Sequence, residues 1–574
     1  MITRRVQRQQ GPPDGVQTIL DVPRADEKAA PEPDLPANPM IGRGLRWYDG
    51  LYRLLRAIQA VATFLRLPAR WRTKIHGGIN YLFQLHHARE SRMNPRIYSL
   101  DVIEIPEGEG VTLPYAWVVE YFPASDIDAL YGAIRKFGWD GPRFSGGAPG
   151  GARSVMSGRQ GQGGTWWRIA ELRSMRSRGY VPVDGQRVRL PRGIGAIDLV
   201  GVPIGKGLTA VVVSFSLDES VSNWLNEVLT AHYRHEVIRW RGRMAASQPP
   251  PYVLYHHAQR ARAHVHRRLR RWMRRTLPGA FARYRKPHPL FDVMFFNRAS
   301  PELLGADGPG YKNDALRAMG LRADPVTRVT SNSLPGMLLD QRDFGEWAPE
   351  ISDNTWAFWG NRSAIDGLTR MTGNHGANAA GFFLGDRSTD FMARRGLTSL
   401  LHAMREDASA THDNARKLHG GTRSRDLRRL RNRILTTSVD LATLGEDVKE
   451  YNGRRWRDRE PQFYYDYSPA FKARDLALGH KPIEPIDVNR GERKTQRRLA
   501  RELVSFDAKY RDVLNTVASL GTSLDSRRVQ RLAVYVSVAS LGVAVVTLWA
   551  TQTPPPDLLP GLCGVLRELG VSAC

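Results

Sequence analysis

The sequence predicts an α+β cytosolic domain, followed by a long-helix, coiled-coil-like stalk and one C-terminal transmembrane helix. Three observations carry that expectation. Leu532 to Ala550 form an uncharged, mostly apolar run in a chain whose mean hydropathy is −0.41. Upstream of it, apolar residues recur at alternating spacings of three and four, the signature of a helix with one apolar seam. Earlier still, β-branched and aromatic runs alternate irregularly with helical patterns, which suits an α+β domain better than a doubly wound sheet.

At 574 residues the chain exceeds one ordinary core and suggests two to four units (about 100–200 residues each). Lys and Arg number 84 against 57 Asp and Glu, giving a net charge of +27 and an isoelectric point near 10.4. Such an excess favours an anionic neighbour, either a phospholipid surface or nucleic acid. Because Arg far outnumbers Lys, coding bias is the competing source of the excess.

Residues 1–40 are polar and proline-rich, with no apolar run after the first basic residues. They read as a disordered lead-in rather than a secretory signal. The segment 41–95 is helical and basic: "GLYRLLRAIQAVATFLRLPARWR" places Leu51, Leu54, Leu55, Ile58, Val61, Ala62 and Leu65 on one face. That stripe either packs on a core or lies on a membrane surface.

The α+β body spans 96–395. Strands are expected at Asp101–Ile105, Tyr115–Phe122, Ala196–Val202, Leu208–Leu217, Asp292–Phe296 and Thr355–Asn361. One helix is expected from a cap at Ser125 or Asp126 to Phe137, and another from Asp218 to Trp240. The densest basic run, Tyr255–Lys286, surrounds Leu269, Trp272 and Met273 with Arg267, Arg268, Arg270, Arg271, Arg274 and Arg275. A helix there would be cationic over most of its circumference. Arg267, Arg268, Arg270, Arg271, Trp272, Arg274 and Arg275 are therefore the candidate anion-binding residues. Their expected partner is the anionic inner leaflet, with a nucleic-acid backbone placed second.

The stalk is assigned to 396–526. One seam runs through Leu427, Leu430, Ile434, Thr437, Leu441, Leu444 and Val448, and a second through Leu499, Leu503, Phe506, Tyr510, Val513, Val517, Leu520 and Leu524. A loop at about 450–492 lets the two helices pair within one chain or with copies in a homo-oligomer. The span 532–550 would measure about 28 Å as a helix, close to a bilayer's hydrocarbon thickness. Arg527, Arg528 and Arg531 precede it and Trp549 sits at its far edge. Charge thus sets the body in the cytosol and the tail 551–574 outside the plasma membrane, in a single pass. Both cysteines, Cys563 and Cys574, fall in that tail and are candidates for a disulfide.

No catalytic signature is present, and neither a cofactor nor a metal is expected. "GVPIGKG", Gly201–Gly207, is one residue short of a phosphate loop, and no Ser or Thr directly follows Lys206. His232, His235 and Glu236 lack the H-E-x-x-H order, and arginines crowd them. Gly373–Asn378, with Asp386, is a Gly/Asn-rich loop of the kind active sites and plain turns both use. The layout resembles magnesium channels with a cytosolic body and a long helix, but the Gly-Met-Asn motif and second span of that family are missing. The expected function is thus a membrane-anchored sensor, scaffold or effector. The alternatives are a membrane-tethered enzyme and a channel-like homo-oligomer.

Overall fold

The computed structural model describes residues 47–93, 103–140, 151–161, 167–176, 185–239, 245–303, 313–322, 324, 326–341, 350–370, 375–418, 424–453 and 460–551. The chain divides into two compact units, Met1–Met93 with Val237–Ser247, and Asn94–Glu236 with Gln248–Cys574.

In the first unit α1 (Trp47–Phe64) turns back into α2 (Ala69–Met93). Arg66 takes a left-handed conformation (φ 50°), and Pro68, which lacks an amide hydrogen, immediately precedes α2. The helices touch where Gly78 leaves room for Leu55. Only part of the predicted stripe is covered: Ala62 is buried, whereas Leu54, Val61 and Leu65 are more than half exposed.

The second unit opens with β1 (Val111–Phe122), α3 (Ile127–Lys136), α4 (Gly151–Arg159), β2 (Trp167–Ser174), β3 (Gly185–Val188), β4 (Ile194–Pro203), β5 (Thr209–Leu217) and α5 (Glu219–Thr230). β6 (Glu236–Arg239) and β7 (Ala245–Gln248) pair with each other and largely belong with the first unit. Then come α6 (Pro250–Thr276), α7 (Ala280–Tyr284), β8 (Leu290–Phe296), α8 (Asp314–Ala318), β9 (Thr327–Thr330), β10 (Met337–Gln341) and β11 (Thr355–Asn361). The chain continues through α9 (Ala364–Thr369), α10 (Ala377–Leu418), α11 (Ser424–Gly453), β12 (Tyr464–Tyr467), α12 (Pro469–Ala477), β13 (Ile486–Asp487) and α13 (Val488–Thr551).

Eleven strands make one sheet in the order β13-β12-β9-β10-β11-β8-β1-β5-β4-β2-β3. Neighbours are antiparallel except β8 with β11 and β2 with β3. Its central strands are apolar at nearly every position because both faces are covered. Ala116, Val118, Val213, Phe215 and Met294 point into one core with α3, α4, α5, α6 and α8. Trp117, Val119, Val212, Phe291 and Phe358 point into the other, with α7, α9, α10, α11 and the first part of α13. Helix α10 lies close on β1 because Gly381 and Gly385 carry no Cβ, which would come within 2.5 Å of Tyr115 and Trp117.

This mixed α/β architecture corrects the predicted fold class. In their described side chains the two apolar seams do not form a stalk; those of Leu427, Leu430, Tyr510, Val513, Val517, Leu520 and Leu524 lie outside the described residues. Leu441, Leu444 and Val448 of α11 and Leu499 and Leu503 of α13 are buried in the same core as the sheet's second face. A three-four spacing describes any helix with one apolar face, and here α11 and α13 pack on each other and on α10 in the core that also covers the sheet's second face.

The transmembrane helix is likewise corrected, and with it the single-pass, membrane-anchored reading and the N-inside orientation. Among the described residues no helix is long and apolar enough to cross a membrane. The side chains of the flanking Arg527, Arg528, Arg531 and Trp549 lie outside the described residues, as do Cys563, Cys574 and the predicted N-terminal disorder.

Two smaller expectations also change. Ile103–Ile105 are not in a strand, and the Glu104 amide instead donates to Asp314 Oδ2 at 2.6 Å. The helix beginning at Asp218 stops at Thr230, where Ala231 turns extended.

Candidate functional site: the two faces of helix α6

Helix α6 starts at Pro250 and Pro251, whose fixed φ and missing amide hydrogens suit a first turn. Leu254, Ala258, Ala261, Val265, Leu269 and Met273 line its inner face and join the first core. Three cationic or titratable groups also point inward. The Arg262 guanidinium donates to both carboxylate oxygens of Asp292 on β8, at 2.8 and 2.7 Å, and His266 Nε2 meets the same carboxylate at 2.8 Å. Arg270 donates to the carbonyls of His288 and Asn354 and to Thr355 Oγ1, at 2.9, 3.0 and 3.0 Å. These bonds fasten α6 across β8 and the start of β11.

Burial shapes the protonation of His266, Arg270 and Asp292. It pushes the His266 imidazole down to about 4, so the ring is neutral at pH 7. It lowers Arg270 to about 9. Burial alone would raise the Asp292 carboxyl, but Arg262 and His266 outweigh it and hold the group well below the usual carboxylate range. Arg270 therefore belongs to the interior rather than to an anion-binding surface.

The outer face is different. His257, Arg260, His264, Arg267, Arg271, Arg274 and Arg275 are all exposed. At 100° per residue they share about a third of the helix circumference, and at 1.5 Å per residue they extend about 27 Å. The cationic surface is thus a stripe, narrower than the sequence suggested. Glu350 pairs with Arg260 at 3.3 Å and with His256 at 3.2 Å. Among the described residues, Arg267, Arg271, Arg274 and Arg275 have no ion-pair partner. Arg268 is half-buried and donates to the carbonyl of Arg192, bringing the β3–β4 connection alongside. Trp272 is half-buried edge-on against Phe215, with ring centroids 5.5 Å apart, and so packs on the core.

An open groove of about 450 Å³ runs beside the stripe, between α6 and α5. Tyr233 stacks on His257 with centroids 5.5 Å apart, and Trp224 meets His264 edge-on at 5.9 Å. Arg260, Arg267 and one acid, Glu227, complete the charged lining. The His264 imidazole is held below its ordinary value by burial and by Arg268, Arg267 and Arg271.

The chain matches no protein-family model, no curated protein and no solved structure.

The other candidates separate. Gly201–Gly207 runs from the end of β4 into its connection to β5, and its Gly207 amide donates to both Asp447 carboxylate oxygens at 3.1 Å. The α11 carboxylate thus occupies the place a phosphate would need. His232 and Glu236 are exposed while His235 is buried. Among the described residues no cluster of His, Cys, Asp or Glu is arranged to hold a metal ion. Part of the Gly/Asn loop, His375 to Asn378, lines a cleft of about 540 Å³ at one end of the sheet, shared with Glu219, Asn223 and Arg362. Asp386 lies elsewhere on α10. Sequence reasoning missed Glu219, Asn223 and Arg362 because they come from separate elements and share no spacing.

Proposed function

We propose that the protein binds nucleic acid through the outer stripe of α6, with Arg267, Arg271, Arg274 and Arg275 on backbone phosphates. The observation that carries this reading is a row of exposed arginines without acidic partners, on a helix whose opposite face is fixed in the core. Guanidinium groups suit phosphate oxygens because they donate in a planar fork and remain charged. A helix that lies in a lipid interface strengthens its headgroup attraction by burying an apolar face among the acyl chains. In α6 that face is consumed by Leu254, Ala258, Val265, Leu269 and Met273, and Trp272 is turned against Phe215. A polyanion that needs only the cationic stripe fits better.

The test is fluorescence anisotropy of a labelled oligonucleotide with the full chain, beside sedimentation with phosphatidylserine-containing vesicles. Salt-dependent oligonucleotide binding supports the reading. Vesicle binding without oligonucleotide binding, or neither, overturns it.

A further inference from the structure

We infer that the groove beside the stripe receives an unpaired base, so that the bound nucleic acid is single-stranded. This inference rests on the reading just given and deepens it. The groove, about 450 Å³, lies within the size of ordinary small-ligand pockets (about 300–1,000 Å³). Its aromatic lining comes from two directions: Trp224 from α5, and His257 and His264 from α6, with Tyr233 just beyond α5. Arg260 and Arg267 belong to both groove and stripe, so a strand whose phosphates follow the stripe passes the groove within one nucleotide's reach. In a duplex the bases are stacked and paired, and no aromatic ring beside the backbone can reach a base face. In a single strand every base has a free face, and stacking on aromatic side chains is how such strands are held without regard to sequence. Glu227 argues for a base rather than another phosphate, because a carboxylate repels phosphate but accepts a hydrogen bond from an exocyclic amino group.

The experiment compares one labelled sequence as a single strand and as a duplex, on the wild-type protein and on Trp224→Ala and Trp224→Phe. The wild type is expected to favour the single strand. Trp224→Ala should weaken single-strand binding by about tenfold, the effect of one lost stacking contact, and leave duplex binding and the salt slope unchanged. Trp224→Phe, which keeps a ring, should recover most of the loss. Equal affinity for single strand and duplex overturns the groove inference alone, as does an equal loss on both forms in Trp224→Ala. Absence of binding to either form overturns the groove and the stripe together.

Discussion

Replacing Arg267, Arg271, Arg274 and Arg275 with glutamine removes four exposed charges while leaving every buried contact of α6 in place. Each phosphate neutralised on a single strand contributes about −0.7 to the slope of log affinity against log salt, through release of condensed counterions. If each arginine meets one phosphate, the stripe supplies a slope of about −2.8, or about a fiftyfold loss of affinity between about 50 and 200 mM salt. The quadruple variant should lose that component of the slope, and each single variant about 0.7 of it, evenly across oligonucleotide sequences. Anisotropy titrations at four or five salt concentrations read both quantities. Since the four side chains are exposed, each substitution should change stability by no more than about 0.5 kcal/mol, and urea unfolding of the quadruple variant separates a loss of binding from unfolding. A quadruple variant with the wild-type slope would refute the placement of phosphates on α6.

Arg262→Met strands the fully buried Asp292 carboxylate and should cost about 3–5 kcal/mol in urea unfolding; a loss below about 1 kcal/mol would show that Asp292 does not depend on this partner. His266 and Asp292 both have depressed folded values, so their stabilisation is complete above about 6.5 and 3.8 respectively and is lost as pH falls, first toward 4 for His266 and then lower for Asp292. Asp126 has the opposite sign: burial, opposed by Arg283, raises its carboxyl to about 6, so its contribution is full below about 3.8 and lost as pH rises through 6. Wild type should therefore gain on Asp126→Asn as pH falls from 7 to 4, and urea midpoints across that range would expose an error of sign. Leu444→Ala, deep in the second core, should cost about 2–5 kcal/mol at any protein concentration, whereas a seam between copies would make the loss concentration-dependent.

Much of the sheet was legible. The runs at 115–122, 196–202, 208–217, 292–296 and 355–361 fall in strands in all but Leu208, because dense β-branched and aromatic residues bounded by Gly or Pro suit little else. Their order was not legible: β1 sits between β5 and β8, and β8 beside β11, through pairings that no local pattern encodes. The helical seams gave the pairing of α11 with α13 within the chain but misled about a stalk, because their spacing identifies an apolar face and not everything that covers it. Overall charge concealed the two faces of α6 for a similar reason. Arg262, His266 and Arg270 look no different in sequence from Arg267 and Arg271; only the lone acid Asp292, opening an otherwise apolar run, hinted that a cation would be drawn inside. The groove was out of reach, since Trp224 and Tyr233 come from one segment and His257 and His264 from another.

The most direct test of nucleic-acid binding by α6 is photo-crosslinking of a halogenated single strand to the full chain, with the adducts located by mass spectrometry. Binding along the stripe predicts adducts within Arg260–Arg275 and at Trp224 or Tyr233. Adducts confined to other segments, or none at low salt, would contradict it.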